Sequence, residues 1–382
     1  MRANDFDVLI IGEGLSGITA AASACKQGAR VMLVSKGPGS FVLGAACVDL
    51  DGFKYASLGL RAGADDDVGQ AVGFFIELAA AAECAYEGGV REHRLVPTIM
   101  GTFADVSLAP RQLWKGDPRG LGKAVVIGIE NLFAFDPNFV GERLSAHSKN
   151  KGLTTSYRAT AIRLPQLHRQ RWLTPLEIGS EFDNSAFYRH AMVEALKPVV
   201  QDADLLIIPG VLGVNSGDND IRHLEDEICC AICELPSLPP SVPGLRLLRR
   251  LESHLSAIGV EVLTGFTVQK LCMEAGRCRG AVLDTPGKLR TVHANSVILA
   301  SGRYSHLLQE GGAGEYTAGS RVEVNQELQP MNGDAGPLAE NVFACGSILG
   351  KFESRYRNAL AVVSGHQAGM LACQRGVHYA KP

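Results

Sequence analysis

"FDVLIIGEGLSGITAAASACKQGARVMLVSKG", Phe6 to Gly37, decides how the rest of the chain is read. An apolar run, Val8 to Ile11, leads into Gly12-x-Gly14-x-x-Gly17. A small-residue helix is predicted to about Gln27, Gly28 ends it, and a second strand covers Arg30 to Val34. Each glycine meets a separate demand. Gly12 makes the tight turn, Gly14 lets a pyrophosphate approach the backbone, and Gly17 lets the helix pack closely on the strand. Phosphates then face the free N–H groups of the helix start. A glycine triplet alone is a weak signal. Here strand, helix and second strand stand where the mechanism needs them, and they predict a dinucleotide- or flavin-binding βαβ unit held by Gly12, Gly14, Leu15, Ser16 and Gly17.

The end of the second strand departs from that pattern. An Asp or Glu there normally grips the adenosine ribose, but this chain has Ser35 followed by Lys36. A hydroxyl bonds a ribose more weakly, so NAD is disfavoured, and Ser35 and Lys36 become the candidate contacts for any adenosine half. The following loop, "GSFVLGAACVDLDG" (Gly39 to Gly52), is rich in small residues. It suits backbone contact with a flat ring, through Gly44 and Ala45.

Composition bounds the alternatives. A chain of 382 residues exceeds one small core, so two domains or one domain with a large insertion are expected. A formal charge of −3 excludes a globally basic nucleic-acid binder. The first five residues carry no apolar signal core, and Val8 to Ile11 is far too short to span a bilayer, which predicts a cytoplasmic protein without a transmembrane segment. The ten cysteines lack the spacing of a disulfide framework. Cys229, Cys230 and Cys233 cluster without a second pair at ligand spacing, so they read as buried thiols rather than metal ligands, with a redox role left open. No metal-ligand set is expected.

The C-terminal part returns to the style of the beginning. After a helix from Leu245, alternating segments at Val260–Leu263, Thr267–Met273, Cys278–Asp284 and Leu289–Val292 predict strands. "SVILASG" (Ser296 to Gly302) reads as a separate buried strand of a parallel sheet, and its small C-terminal residues Ala300, Ser301 and Gly302 are placed to face a ligand. "ENVFACGSILG" adds a strand at Val342 to Cys345, then Gly346 and Ser347, and a long helix from about Asn358. The expected fold is α/β: a Rossmann-like two-part flavin-binding domain, residues 1–52 and 239–382, with an inserted α/β cap domain, residues 53–238. The proline-rich "SLPPSVPG" marks the return from the cap. Prolines fix φ and remove donors, so this crossing is rigid and keeps Ser241 and Arg246 in place.

Taken together, the glycine turn, "LPSLPPSVPGLRL", "VILASG" and "ENVFACGSILG" closely resemble the B subunits of the anaerobic glycerol-3-phosphate dehydrogenases, within the fumarate-reductase-like flavoproteins. "VPTIMGTF" and "KAVVIGIENLFAFD" extend the resemblance over nearly the whole chain, in order, and the proline segment is its most specific motif. The resemblance implies a non-covalently bound flavin, given as FMN. It also implies a complex with a catalytic flavoprotein subunit and an iron–sulfur subunit that passes electrons to the membrane quinone pool, peripheral to the inner face of the membrane. Two departures stand out. The segment between "VILASG" and "ENVFACG" is short, and bulky Arg355, Tyr356 and Arg357 stand where small residues are expected.

For the chemistry, a reduced flavin gathers negative charge, and a helix start aimed at it supplies free N–H groups. Asn358, Ala359 and Leu360 are the candidate backbone donors. Arg246 and Arg355 are the candidate catalytic cations, able to hold a phosphate or carboxylate bidentately. Arg357 is a further candidate of the same kind, and His93 and His366 are candidate acid–base groups. The pyrophosphate-type turn favours FAD, whereas Ser35 and the resemblance favour FMN; the reading leans to FAD. Three functions remain open at this point: a redox subunit of a dehydrogenase complex, an independent flavin oxidoreductase of a small hydroxy or unsaturated acid, and a scaffold subunit without turnover.

Overall fold

The computed structural model describes residues 5–55, 65–133, 135–165, 172–302, 322–333, 336–350 and 352–377. The short segment between "VILASG" and "ENVFACG" falls largely outside them. The backbone divides into two compact units, one comprising Met1–Ser40, Gly52–Leu78 and Leu251–Pro382, the other Phe41–Asp51 and Ala79–Arg250.

In the first unit, strand β1 (Asp5–Glu13) is followed by helix α1 (Leu15–Lys26) and strand β2 (Val31–Pro38). The parallel part of its sheet runs Glu261–Thr264, β2, β1, the far half of Lys288–Leu299, and Val342–Ala344. Val8 to Ile10 are fully buried because β2 and Lys288–Leu299 flank β1 on both sides and α1 and the helix Arg357–Val377 pack against it. Burying each such side chain contributes roughly 1.5–3 kcal/mol. Gly28, at φ +82°, follows the Gln27 cap of α1 and turns the chain into β2.

One strand differs from expectation. The apolar pattern predicts separate strands at Leu289–Val292 and Ser296–Gly302, but Lys288–Leu299 is continuous. Val292, Ala294 and Ser296 are buried while His293 and Asn295 are exposed, so the period-2 alternation carries through the expected gap. Its first half pairs antiparallel with Arg277–Thr285 and its second half parallel with β1, so a single strand joins the hairpin to the parallel sheet. The final helix, Arg357–Val377, lies on α1 through small residues; a Cβ at Gly369 would stand 2.5 Å from the Ala20 carbonyl oxygen.

The second unit holds a parallel sheet ordered Ala231–Leu235, Leu205–Pro209, Lys123–Ile129, Ser156–Ile162. Its helices begin on sequence-legible caps. Asp136 accepts from the Asn138 N–H at 2.9 Å, and Thr174 with Glu177 forms a capping box. The helix after the proline segment starts at Val242, three residues before the expected Leu245, because Pro243 sits in its first turn, where no donor is missed. The Ser241 N–H donates to the Val42 carbonyl at 2.9 Å, and a Cβ at Gly244 would stand 2.6 Å from the Gly44 oxygen. The proline segment is thus fastened to the loop Phe41–Ala45.

Among the described residues no helix is long and apolar enough to cross a membrane. Of the cysteine cluster, Cys229 is exposed whereas Cys230 and Cys233 are buried. Burial pushes the Cys230 thiol up to about 11 and that of Cys345 to about 12. A thiol-specific disulfide reagent at mildly alkaline pH should therefore modify Cys229 promptly and spare Cys230, Cys233 and Cys345 until the chain unfolds. Labelling of Cys233 in the native protein at the Cys229 rate would contradict this.

Candidate functional site

The first unit brings the ends of its parallel strands together around the β1–α1 turn. Gly12 holds φ +115°, and a Cβ there would overlap the Ala300 carbonyl. A Cβ at Gly17 would overlap the Gly12 oxygen itself, so helix and strand touch through backbone alone. Gly14 is different: its added Cβ would meet nothing nearer than Ser16 Oγ at 4.0 Å. The space on the Cβ side of the middle glycine is open, while Gly39 packs against its backbone, where a Cβ added to Gly39 would stand 2.6 Å from the Gly14 Cα. Gly14 is also the N-cap of α1, in extended conformation and without a side-chain cap, so the first-turn N–H groups face that end of the helix.

Ala300, Ser301 and Gly302 leave the strand Lys288–Leu299 beside this turn, and the Ala300 N–H donates to the Ile11 carbonyl at 2.8 Å. Among the described residues, Ser301 Oγ is buried without a hydrogen-bond partner. A buried orphan hydroxyl costs stability unless a ligand engages it. Gly346 and Ser347 lie in the 3-10 turn Gly346–Leu349, and the Gly346 N–H donates to Ser364 Oγ at 2.9 Å. A side chain at Gly346 would strike Ser16. The structure therefore gathers Gly12, Gly14, Leu15, Ser16, Gly17, Ala300, Ser301, Gly302, Gly346 and Ser347 at the C-terminal ends of the parallel strands.

Sequence reasoning missed Glu13, the residue between the first two glycines. It is 1% exposed. Its carboxylate accepts from Ser35 Oγ at 2.6 Å and from Thr264 Oγ1 at 3.1 Å. Ser35 ends the buried part of β2 and Lys36 is exposed. A carboxylate absent from the end of β2 is thus present beside it, delivered by the turn. The available signal was a charged residue inside an otherwise apolar and small stretch.

The remaining candidates are dispersed. Ala359 and Leu360 are buried in the final helix. That helix starts one residue before Asn358, and a 3-10 turn, Ser354–Tyr356, runs straight into it, with the Arg357 N–H donating to the Ser354 carbonyl. Arg355 donates to Glu353 at 3.0 Å and lies over the Tyr356 ring, bonded to its hydroxyl. His366 stacks on Phe74 at 4.6 Å, and burial, followed by the nearby Lys26 charge, lowers its pKa. Among the described residues its Nδ1 has no hydrogen-bond partner.

In the second unit Gly44 and Ala45 sit in the loop under the proline segment, and the Ala45 carbonyl accepts from Tyr86 Oη at 3.2 Å. His93 lies 3.9 Å from Asp105 at the surface. Arg246, expected to grip a ligand anion, is instead held by Glu234 in two hydrogen bonds of 2.6 and 3.0 Å and donates to the Gly213 carbonyl at 2.8 Å. The cavity beside it is about 30 Å³, room for water and not for a substrate. Among the described residues no group of three or more His, Cys, Asp or Glu is placed to hold a metal ion.

Open space on the Cβ side of Gly14, an orphan Ser301 hydroxyl and a buried carboxylate beside β2 fit a dinucleotide whose pyrophosphate crosses the turn. Fold and site together define a Rossmann-type flavoprotein. The chain belongs to the FAD binding domain family, whose model matches residues 7–50 and 154–322. Its cofactor is non-covalently bound FAD, the flavin that the glycine turn favoured over the FMN implied by resemblance, and its chemistry is that of a flavin-dependent oxidoreductase. Among curated relatives, a probable anaerobic glycerol-3-phosphate dehydrogenase B subunit from Halobacterium salinarum is 24% identical over 97% of this chain and 99% of its own. An anaerobic glycerol-3-phosphate dehydrogenase B subunit from Pectobacterium atrosepticum is 28% identical over 78% of this chain and 75% of its own. A flavocytochrome c3 fumarate reductase in an open conformation is a solved structure with 11% identity and a TM-score of 0.40, aligned over 98% of this chain and 79% of its own.

Proposed function

We propose that this chain is the FAD-holding subunit of a glycerol-3-phosphate dehydrogenase complex. In this reading it passes electrons from oxidation of sn-glycerol 3-phosphate towards iron–sulfur centres and quinone. A catalytic flavoprotein subunit and an iron–sulfur subunit are its partners, and they place it at the inner face of the membrane. The observation that carries the reading is an end-to-end match, 97% of this chain against 99% of the Halobacterium salinarum relative, with the glycine turn intact.

The site residues have separate roles in this proposal. Gly12, Gly14 and Gly17 admit the pyrophosphate to the first turn of α1, where Leu15 and Ser16 donate backbone N–H groups. Ala300, Ser301, Gly302, Gly346 and Ser347 line the adjoining strand ends, with Ser301 Oγ free to bond the cofactor. Asn358, Ala359 and Leu360 belong to the first turn of the final helix, whose positive end favours charge on the reduced ring. FAD, when bound, supplies the redox chemistry, and the protein supplies position and electrostatics. Arg246 is committed to Glu234, so the substrate anion is expected to be held on the catalytic partner.

The test is anaerobic. sn-Glycerol 3-phosphate is added to the isolated chain and, separately, to the complex co-purified with it, and the visible flavin absorbance is followed. Bleaching in the complex and none in the isolated chain is the expected result. Direct bleaching of the isolated chain by a small hydroxy acid would overturn the reading in favour of an independent oxidoreductase.

A further inference from the structure

The buried carboxylate of Glu13 has more acceptor capacity than the protein uses. A carboxylate offers about four lone-pair sites. Among the described residues Ser35 Oγ and Thr264 Oγ1 are its hydrogen-bond donors, each with a single hydrogen, and it forms no ion pair. Thr264 Oγ1 is also 3.5 Å from Glu252, so its hydrogen is shared. A carboxylate with 1% exposure and two neutral donors is poorly compensated, because burial removes the water that would fill the remaining sites.

Its place in the sheet is equally informative. Glu13 follows Gly12 at the C-terminal end of β1, Ser35 ends the buried run of β2, and Thr264 ends the next strand, in register with Ser35. Three parallel strand ends therefore converge on one carboxylate at the end of the sheet where the glycine turn lies. Hydroxyl donors would complete its shell, and the adenosine ribose of FAD carries a vicinal pair.

We propose that Glu13 binds the adenosine ribose of FAD, replacing from within the glycine turn the acid absent from the end of β2, with Ser35 and Thr264 orienting it. The swap explains why Ser35 is tolerated: its hydroxyl donates to a carboxylate already there. It also makes Glu13 the residue that selects FAD over FMN, which lacks that ribose. The inference rests on FAD being the cofactor.

The test strips the flavin and titrates it back, following the quenching of flavin fluorescence. Wild-type protein and Glu13→Gln are each titrated with FAD, with FMN, and with an FAD analogue carrying 2′-deoxyribose in its adenosine half. Hydrogen bonds to a charged group predict that Glu13→Gln weakens FAD binding by about 10- to 100-fold while leaving FMN binding unchanged. Wild-type protein should discriminate against the deoxy analogue and Glu13→Gln should not. FAD affinity within about twofold of wild type in Glu13→Gln, below the loss expected for such a bond, would overturn the proposal. So would wild-type protein that binds the deoxy analogue as well as FAD, a comparison that needs no variant to fold. FMN bound as tightly as FAD by the wild type would overturn the FAD reading itself, and the inference with it.

Discussion

Gly17→Ala should give a chain that purifies without flavin. The added methyl would overlap the Gly12 carbonyl oxygen, with the Ala300 side chain 3.2 Å away. Neither neighbour can yield cheaply: one is backbone in the cofactor turn, the other is the end of a central strand. α1 must lift away from β1, and the first-turn N–H groups leave the position from which they reach a pyrophosphate. A backbone displacement of this kind costs on the order of 3 kcal/mol or more. Gly28→Ala is the control. Gly28 holds positive φ, unlike Gly17, but an added methyl there meets nothing within 4 Å, so the cost is about 1 kcal/mol of conformational strain and the flavin should stay. Flavin absorbance per chain and thermal melting, measured together on both variants, check this. A Gly17→Ala protein with full flavin content would contradict the close approach of helix to strand.

Arg246→Ala should be among the most destabilising single changes in the second unit. Arg246 is 5% exposed and Glu234 is 3% exposed. Breaking such a pair from one side leaves an uncompensated buried charge, at about 3–5 kcal/mol. Glu234 also accepts from the Val211 and Leu212 N–H groups at 3.0 and 2.9 Å, so Glu234→Ala orphans two backbone donors as well and should cost at least as much. The readout is the urea midpoint of each variant. Near-wild-type stability of Arg246→Ala combined with lost reduction of the flavin would restore the ligand-binding role that the sequence motif invited.

What the sequence made legible is local. The β1–α1–β2 unit could be read because the glycine spacing, the small-residue helix and the apolar strand all lie within thirty-odd consecutive residues and answer to one mechanical requirement. The FAD preference followed from the same turn. The continuity of Lys288–Leu299 was hidden because His293 and Asn295 interrupt the apolar run while preserving the alternation that matters. Glu13 was hidden for another reason: its partners, Ser35 and Thr264, are 22 and 251 residues away. Arg246 was concealed over a shorter separation: Glu234, 12 residues earlier on the strand Ala231–Leu235, takes its guanidinium, a pairing set by how helix and strand pack. Tertiary pairing decided which polar residues are structural and which remain for a ligand.

Mass analysis of the small molecule that heat releases from the purified native chain tests the central claim most directly. The account predicts FAD, in stoichiometric amount. Release of FMN, or of no flavin even from the native complex, would contradict it.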